Sequence, residues 1–370
     1  MTHEEYMQRA ITLAENGIGF VNPNPLVGAV IVKDGRIIGE GWHHAYGEAH
    51  AERNALAACT EDPTGADLYV TLEPCCHEGK NPPCTQAVIE AGIRRVFVGS
   101  DDPNPLVNGG GTQALRDTGI EVVTGVCKAE CDALNPIFFH YITTKMPYVL
   151  MKIAMTADGK TATRAGYSKW ITGEAARARV HETRKRLAAI MIGIGTVLAD
   201  DPTLTCRTEN PSNPVRVICD TNLQIPLDCK LVRTAHEVPT YVAASRVDKR
   251  KAEHLEKSGV HILEVPSEDG HVNLRSLMRK LGALGLDSVL LEGGAALHEA
   301  ALRAGIVQRL HVYIAPKIFG GVSAKSAVGG LGVSEVEEAY RLSMPEISRC
   351  GEDVLLRFDV LEAPDVHGDH

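Results

Sequence analysis

The chain has 370 residues, 44% of them hydrophobic and 23% charged, which is enough for two or three domains and too apolar for a disordered or collagen-like polymer. A formal charge of −9 argues against a general nucleic-acid or anionic-membrane binder, because phosphates and headgroups repel the molecule as a whole; only a local basic pocket fits. The longest apolar run, residues 188–199, is 12 residues long, short of the roughly 20 that cross a bilayer. Glu4 and Glu5 stand where a secretory signal would be basic, so a cytoplasmic protein is expected. In a reducing compartment, the ten cysteines are expected as metal ligands or buried thiols.

In chain order, Thr2 and Glu5 have capping-box spacing ahead of Tyr6, Met7, Ala10, Ile11 and Leu13, and Gly17 stops the helix they predict. Two β-rich runs around Asp34-Gly35 predict a hairpin. Alternation follows: helix 50–58, strand 66–72, a helix after Cys84, strand 95–99, helix 112–117 and strand 121–125, a compact α/β unit. One helix is predicted over 127–144, and Lys145-Met146-Pro147 marks the break to a second domain. Its predicted strands are 148–155, 189–194, 215–219, 240–244, 260–265, 288–291 and 310–315. Its predicted helices are 173–187, 250–258, 274–284 and 295–304, and residues 363–370 read as a frayed tail.

His50-Ala51-Glu52 is followed by Pro74-Cys75 and, nine residues on, by Cys84. One imidazole and two thiolates suit zinc, and three protein ligands leave a fourth position open for water, as in a catalytic site. Zinc brings the pKa of its water toward about 7, and Glu52 could carry protons from that water to a leaving amine. Residues two apart diverge by roughly 200° in a regular helix, so His50 and Glu52 must sit at its first turn. As isolated residues these would read as a helix-start histidine and buried thiols; the joint H-x-E and P-C pattern, with a longer cysteine gap, matches the zinc deaminase signature and decides for the metal. Cys76 and His77 are adjacent to Cys75 and are taken as non-ligands, Cys76 buried and His77 a loop residue or substrate contact. Cys59, Cys127 and Cys131 are expected in core packing, and His43 and His44 carry no signal.

The segments PNPLVGAVIVKDGRIIGEGWHHAYGEAHAE, YVTLEPCCHEGKNPPC and SDDPNPLVNGGG resemble the deaminase half of the bifunctional riboflavin-biosynthesis deaminase/reductases. MKIAMTADGKTAT, SKWIT, GIGTVLADDPTLTCR, VRVICDT, LLEGGAALH and YIAPKIFGG are similar to the family's reductase half, so the resemblance spans almost the whole chain. It implies a cytidine-deaminase-like three-layer α/β/α domain over 1–146 and a dihydrofolate-reductase-like α/β domain over 147–365. It implies zinc on His50, Cys75 and Cys84, proton transfer by Glu52, and Asn24 near the pyrimidine. In the second half it assigns NADPH to Ala154, Trp170, Thr196, Asp200 and the helix start at Gly294, and the substrate to Ser168, Arg184, Leu204, Arg207 and Glu292. A homo-oligomer, dimer or tetramer, is also expected.

Residue chemistry agrees with parts of this. Residues 290–294 end a buried strand and open a helix, where backbone N–H groups and the helix dipole can hold a pyrophosphate. Gly193 and Gly195 lack the third glycine of a dinucleotide fingerprint, Leu198 standing in its place. Arg184 and Arg207 could fork onto a ribose phosphate, and Lys152 and Asp200 are candidates for handling the proton of reduction. The expected activity is removal of an exocyclic amine from a phosphoribosylated diaminopyrimidinone, then reduction of ribosyl to ribityl. The alternative, a zinc-dependent nucleoside or nucleic-acid base deaminase with a C-terminal binding module, asks for stacking aromatics and a basic face, against 5% aromatics and a negative charge. A structural zinc protein would close the site with a fourth ligand and leave Glu52 without a task.

Overall fold

The computed structural model describes residues 1–78 and 82–361, so the tail expectation at 363–370 lies outside the described residues. The chain divides into two compact units, Met1–Lys145 and Met146–His370.

In the first unit, α1 (His3–Ala14) carries both halves of the Thr2/Glu5 capping box. β1 (Gly28–Lys33) and β2 (Arg36–Trp42) form the hairpin at Asp34-Gly35, both residues at positive φ. Then come α2 (Ala51–Ala57), β3 (Asp67–Leu72), α3 (Cys84–Glu90), β4 (Arg95–Ser100), α4 (Gly110–Asp117) and β5 (Glu121–Thr124). The single helix expected over 127–144 is two, α5 (Lys128–Leu134) and α6 (Pro136–Thr144). Pro136 has no N–H to continue the first, and the Asn135 side chain is occupied with both backbone groups of Leu26.

The sheet order is β2-β1-β3-β4-β5, with β3, β4 and β5 parallel. Strand alternation feeds two cores. Val30, Val32, Tyr69 and Phe97 pack with α1 and α5, whereas Ala29, Ile31, Leu68, Val70, Val96 and Val98 pack with α2, α3 and α4. The result is three layers, α/β/α. Loops at the carboxyl end of β3 and the starts of α2 and α3 therefore meet on one side, where ligands bind in open α/β sheets.

The second unit runs β6 (Tyr148–Thr156), α7 (Glu174–Arg186), β7 (Ala189–Gly193), α8 (Ile194–Asp200), β8 (Val215–Cys219), α9 (Lys230–Arg233), β9 (Thr240–Ala244), α10 (Lys249–Lys257) and β10 (Val260–Glu264). It continues with the two-residue strands β11 (Ser267–Glu268) and β12 (His271–Val272), then α11 (Leu274–Ala283), β13 (Ser288–Leu291), α12 (Ala295–Arg303), β14 (Arg309–Ala315), β15 (Glu346–Cys350) and β16 (Asp353–Asp359). The expected strand to residue 194 stops at Gly193, where α8 begins.

Its nine-stranded sheet has the order β10-β9-β8-β7-β13-β6-β14-β16-β15, parallel from β10 to β14, with β16 and β15 added antiparallel. In β6, Val149, Met151 and Ile153 face the main core with α11 and α12, whereas Ala154 packs with Ala176 and Val180 of α7. Lys152 shares the parity of Ala154, so it belongs to the α7 face.

Candidate active sites in the two units

His50 is the N-cap of α2 and makes no side-chain cap bond, which frees its ring for the site. Glu52 lies in the first turn, 3% exposed. Cys75 follows β3, and Cys84 opens α3 behind Pro83. His50 Nδ1 is 3.6 Å from Cys75 Sγ and 3.4 Å from Cys84 Sγ, and the Cys84 backbone N–H donates to Cys75 Sγ at 3.3 Å. The three donor atoms lie within 4.8 Å of one another, a spread that one small cation spans. A borderline-soft N and two S donors fit zinc. The Cys84 thiol, followed by His50, holds Cys75 down to about 4, whereas sharing that proton and burial push Cys84 up. Burial, aided by the Cys75 charge, pushes Glu52 up, as suits a carboxyl that must hold a proton.

These groups open onto a cavity of about 300 Å³ that Asn24, His43, Glu73, His77, Asp102 and Asn104 also line. The Asn24 amide donates to His43 Nε2 at 3.1 Å, and His43 Nδ1 in turn donates to the Ala49 carbonyl at 3.1 Å. That network assigns the proton to Nδ1 and uses the nitrogen end of the Asn24 amide. Glu73 accepts from the backbone N–H groups of Gly109 and Thr112, both at 2.9 Å, and so shapes the loop after β4. Burial, with the charge of Glu73, raises Asp102 to about 6.

Sequence reasoning passed over His43, Glu73 and Asp102; the signal at hand was position, Glu73 directly before Pro74-Cys75 and His43 directly after β2. Cys76, expected to be buried, is half-exposed with Sγ 3.8 Å from the Leu106 carbonyl. Its neighbour faces inward, and consecutive side chains of an extended segment point apart. Cys131 is fully buried, whereas Cys59 and Cys127 are only partly so.

In the second unit, the register Leu290↔Leu150, Leu291↔Met151, carried one residue further, sets Glu292 beside Lys152. Their charged atoms are 3.8 Å apart. Arg184, from α7, grips the same carboxylate with two bonds, Nε to Oε1 at 2.7 Å and Nη2 to Oε2 at 3.0 Å, and Nη1 donates to the Thr205 carbonyl at 3.0 Å. In this structure the Arg184 fork, expected on a phosphate, is engaged by Glu292. Burial pushes Glu292 up, but Arg184 and Lys152 outweigh it and bring the carboxyl to about 2; burial lowers Lys152 despite Glu292.

Lys152 pairs with Glu292; among the described residues no ion pair joins it to Asp200, which is exposed at the end of α8. Gly294 is the N-cap of α12 and Gly193 that of α8, neither with a side-chain cap bond. A Cβ on Gly294 would lie 3.8 Å from Thr196 Oγ1, so these two helix starts adjoin. Their uncapped N–H groups fit a cofactor pyrophosphate.

Ala154 and Ser168 are half-buried, and Trp170 is 62% exposed with the Arg177 guanidinium 4.6 Å over its ring. Leu204 is buried at φ +53, its neighbours Thr203 and Thr205 each held by an arginine, Arg216 and Arg184. Arg207 is exposed and donates Nε to His181 Nε2 at 3.2 Å.

Fold and sites together define a two-unit enzyme in which a zinc-centred deaminase precedes an α/β reductase. Residues 1–100 match the family described as the cytidine and deoxycytidylate deaminase zinc-binding region, and residues 147–356 match the RibD C-terminal domain. The riboflavin biosynthesis protein RibD of Actinobacillus pleuropneumoniae is 55% identical over 98% of this chain and 96% of its own; that of Escherichia coli K12 is 39% identical over 96% and 99%. Two solved structures cover 97% of this chain and 99% of their own. They are RibD of Acinetobacter baumannii, 36% identical with TM-score 0.87, and the diaminohydroxyphosphoribosylaminopyrimidine deaminase/5-amino-6-(5-phosphoribosylamino)uracil reductase of Thermotoga maritima, 38% identical with TM-score 0.85.

The chain belongs to the RibD family of riboflavin biosynthesis proteins. It is a bifunctional deaminase and reductase whose cofactors are zinc and NADPH. Among the described residues, no helix is long and apolar enough to cross a membrane.

Proposed function

We propose that residues 1–146 deaminate 2,5-diamino-6-(5-phosphoribosylamino)pyrimidin-4-one and that residues 147–365 reduce the ribosyl chain of the product. The observation that carries the first half is the convergence of His50, Cys75 and Cys84 beside a buried Glu52 on one cavity. When bound, zinc acidifies a water and so supplies the nucleophile at neutral pH. Glu52 takes the proton that this nucleophile gives up and returns it to the departing amine, which leaves as ammonia; its raised pKa suits both halves of that task. Asn24, oriented by His43, holds the pyrimidine edge with its amide oxygen.

In the second half NADPH supplies the hydride. Gly294 and Thr196, at adjoining helix starts, would hold its pyrophosphate, and Ala154, Trp170 and Asp200 would contact the rest of the cofactor. Lys152, a half-buried ammonium with a lowered pKa, gives the proton that balances hydride addition at the open-chain ribosyl carbon. Glu292 and Arg184 hold Lys152 in place, while Ser168, Leu204 and Arg207 line the phosphoribosyl end. Ten free cysteines suit a reducing cytoplasm, and exposed Val322, Leu331, Val336 and Met344 suit self-association into a homo-oligomer.

Glu52→Gln tests the assignment. The variant is expected to retain zinc by metal analysis, to release no ammonia, and to oxidise NADPH normally when given the deaminated intermediate. Ammonia release at the parent rate would remove Glu52 from the mechanism.

A further inference from the structure

Two cationic groups, Arg184 and Lys152, and the His181 ring act on Glu292, and Arg207 stands beside that histidine, yet the three cations are not equally available to an anion. Arg184 spends all three of its nitrogens inside the protein, and Lys152 is paired with Glu292. Arg207 differs. Only its Nε is engaged, on His181 Nε2 at 3.2 Å, and among the described residues no hydrogen bond or ion pair takes its two terminal nitrogens.

His181 is one helical turn before Arg184 on α7, and it fixes Arg207 twice. Its backbone carbonyl receives the Cys206 thiol at 3.4 Å, which ties the chain at residue 206 to α7, and its ring receives Arg207 Nε. An acceptor at Nε2 requires the neutral ring with hydrogen on Nδ1, a buried nitrogen that has no hydrogen-bond partner among the described residues. The ring is neutral at physiological pH, since burial, followed by Arg184 and Arg207, brings His181 to about 4. An acceptor on Nε constrains the plane of the guanidinium and turns its open edge outward, the geometry that a phosphate takes bidentately.

We propose that His181 is a positioning residue that aims Arg207 at the phosphate of the reductase substrate. This rests on the reading of Arg207 as a phosphate contact, and the test separates the two. Reduction of the deaminated intermediate is measured on the full-length zinc-loaded protein for His181→Leu, His181→Gln, Arg207→Ala and the His181→Leu/Arg207→Ala double variant, with inorganic phosphate as competing probe.

His181→Leu is expected to raise substrate KM and the phosphate inhibition constant about tenfold, with kcat and the KM for NADPH within twofold of the parent. Glutamine, whose amide oxygen accepts from Nε, is expected to restore most of the loss, and the double variant should be no worse than Arg207→Ala. An unchanged KM in Arg207→Ala would overturn the phosphate reading and the proposal with it. A raised KM in Arg207→Ala with an unaffected His181→Leu, or a double variant showing the product of the two single effects, would overturn the role of His181 alone. Should His181→Leu not fold, His181→Phe takes its place under the same criteria.

Discussion

Arg216 shows how a single residue can hold a loop in place through neutral oxygens, with no carboxylate partner among the described residues. Fully buried, it donates to six oxygens, the hydroxyls of Thr240 and Thr234 and the carbonyls of Thr203, Leu231, Thr234 and Val238. Neutral oxygens solvate the charge, though burial still lowers its pKa to about 10. Because one of these oxygens belongs to Thr203, Arg216 also supports the left-handed Leu204 beside the proposed phosphoribosyl site. Arg216→Met strands those oxygens in the interior and is expected to cost on the order of 3–5 kcal/mol, read as a lower urea midpoint for the second unit. A loss under about 1 kcal/mol would mean that water replaces the guanidinium.

Elements meet the zinc site through close backbone contacts. α4 starts so near the Cys75 loop that a Cβ on Gly111 would lie 1.9 Å from the Pro74 carbonyl oxygen, a distance that only glycine permits. Gly111→Ala must push the loop or the helix aside. Since Pro74 directly precedes Cys75, the variant is expected to weaken zinc binding at least tenfold in chelator competition, with a smaller effect on NADPH oxidation. Unchanged zinc affinity would show that the loop yields without moving Cys75. The same element scale explains the two helices in place of one after residue 127: a continuous helix would cost Asn135 its two bonds to Leu26.

At the scale of the whole molecule, the two chemistries depend on separate groups, so metal removal discriminates between them. Exhaustive chelation is expected to abolish ammonia release while NADPH oxidation with the deaminated intermediate stays within twofold of the untreated protein; a parallel loss of both would contradict the division of labour. Stability should depend on pH through half-buried neutral histidines. His181 at about 4 and His311 at about 3 refuse protons that the unfolded chain accepts below about 6.5. The unfolded state therefore binds more protons in that window, and stability falls as pH drops from about 7 toward 4. Glu292, at about 2, is a depressed carboxyl whose contribution is lost only below about pH 4.5. Calorimetry between pH 7.5 and 4.5 is expected to show Tm of the second unit falling steadily, and a flat Tm would refute the neutral assignment of these histidines.

Sequence alone determined what depends on local pattern: the capping box at Thr2 and Glu5, the hairpin at Asp34-Gly35, most of the longer strands and helices up to β14, and the candidate ligand set His50, Cys75 and Cys84, because residue type and spacing specify them without reference to distant chain. The short α8, α9, β11 and β12 are too brief to show a period, and β15 and β16, whose burial is broken and intermittent, give no clean alternation to read. Only tertiary structure decided which cation stays open. Arg184 and Arg207 look alike as letters, but strand register brings Glu292 to Arg184 and leaves Arg207 to His181. The same holds for His43, which became part of the first site only when Asn24 folded back onto it. Partner choice is a property of three-dimensional neighbours, and a charge or an imidazole acquires its role from whatever the fold places within hydrogen-bond reach.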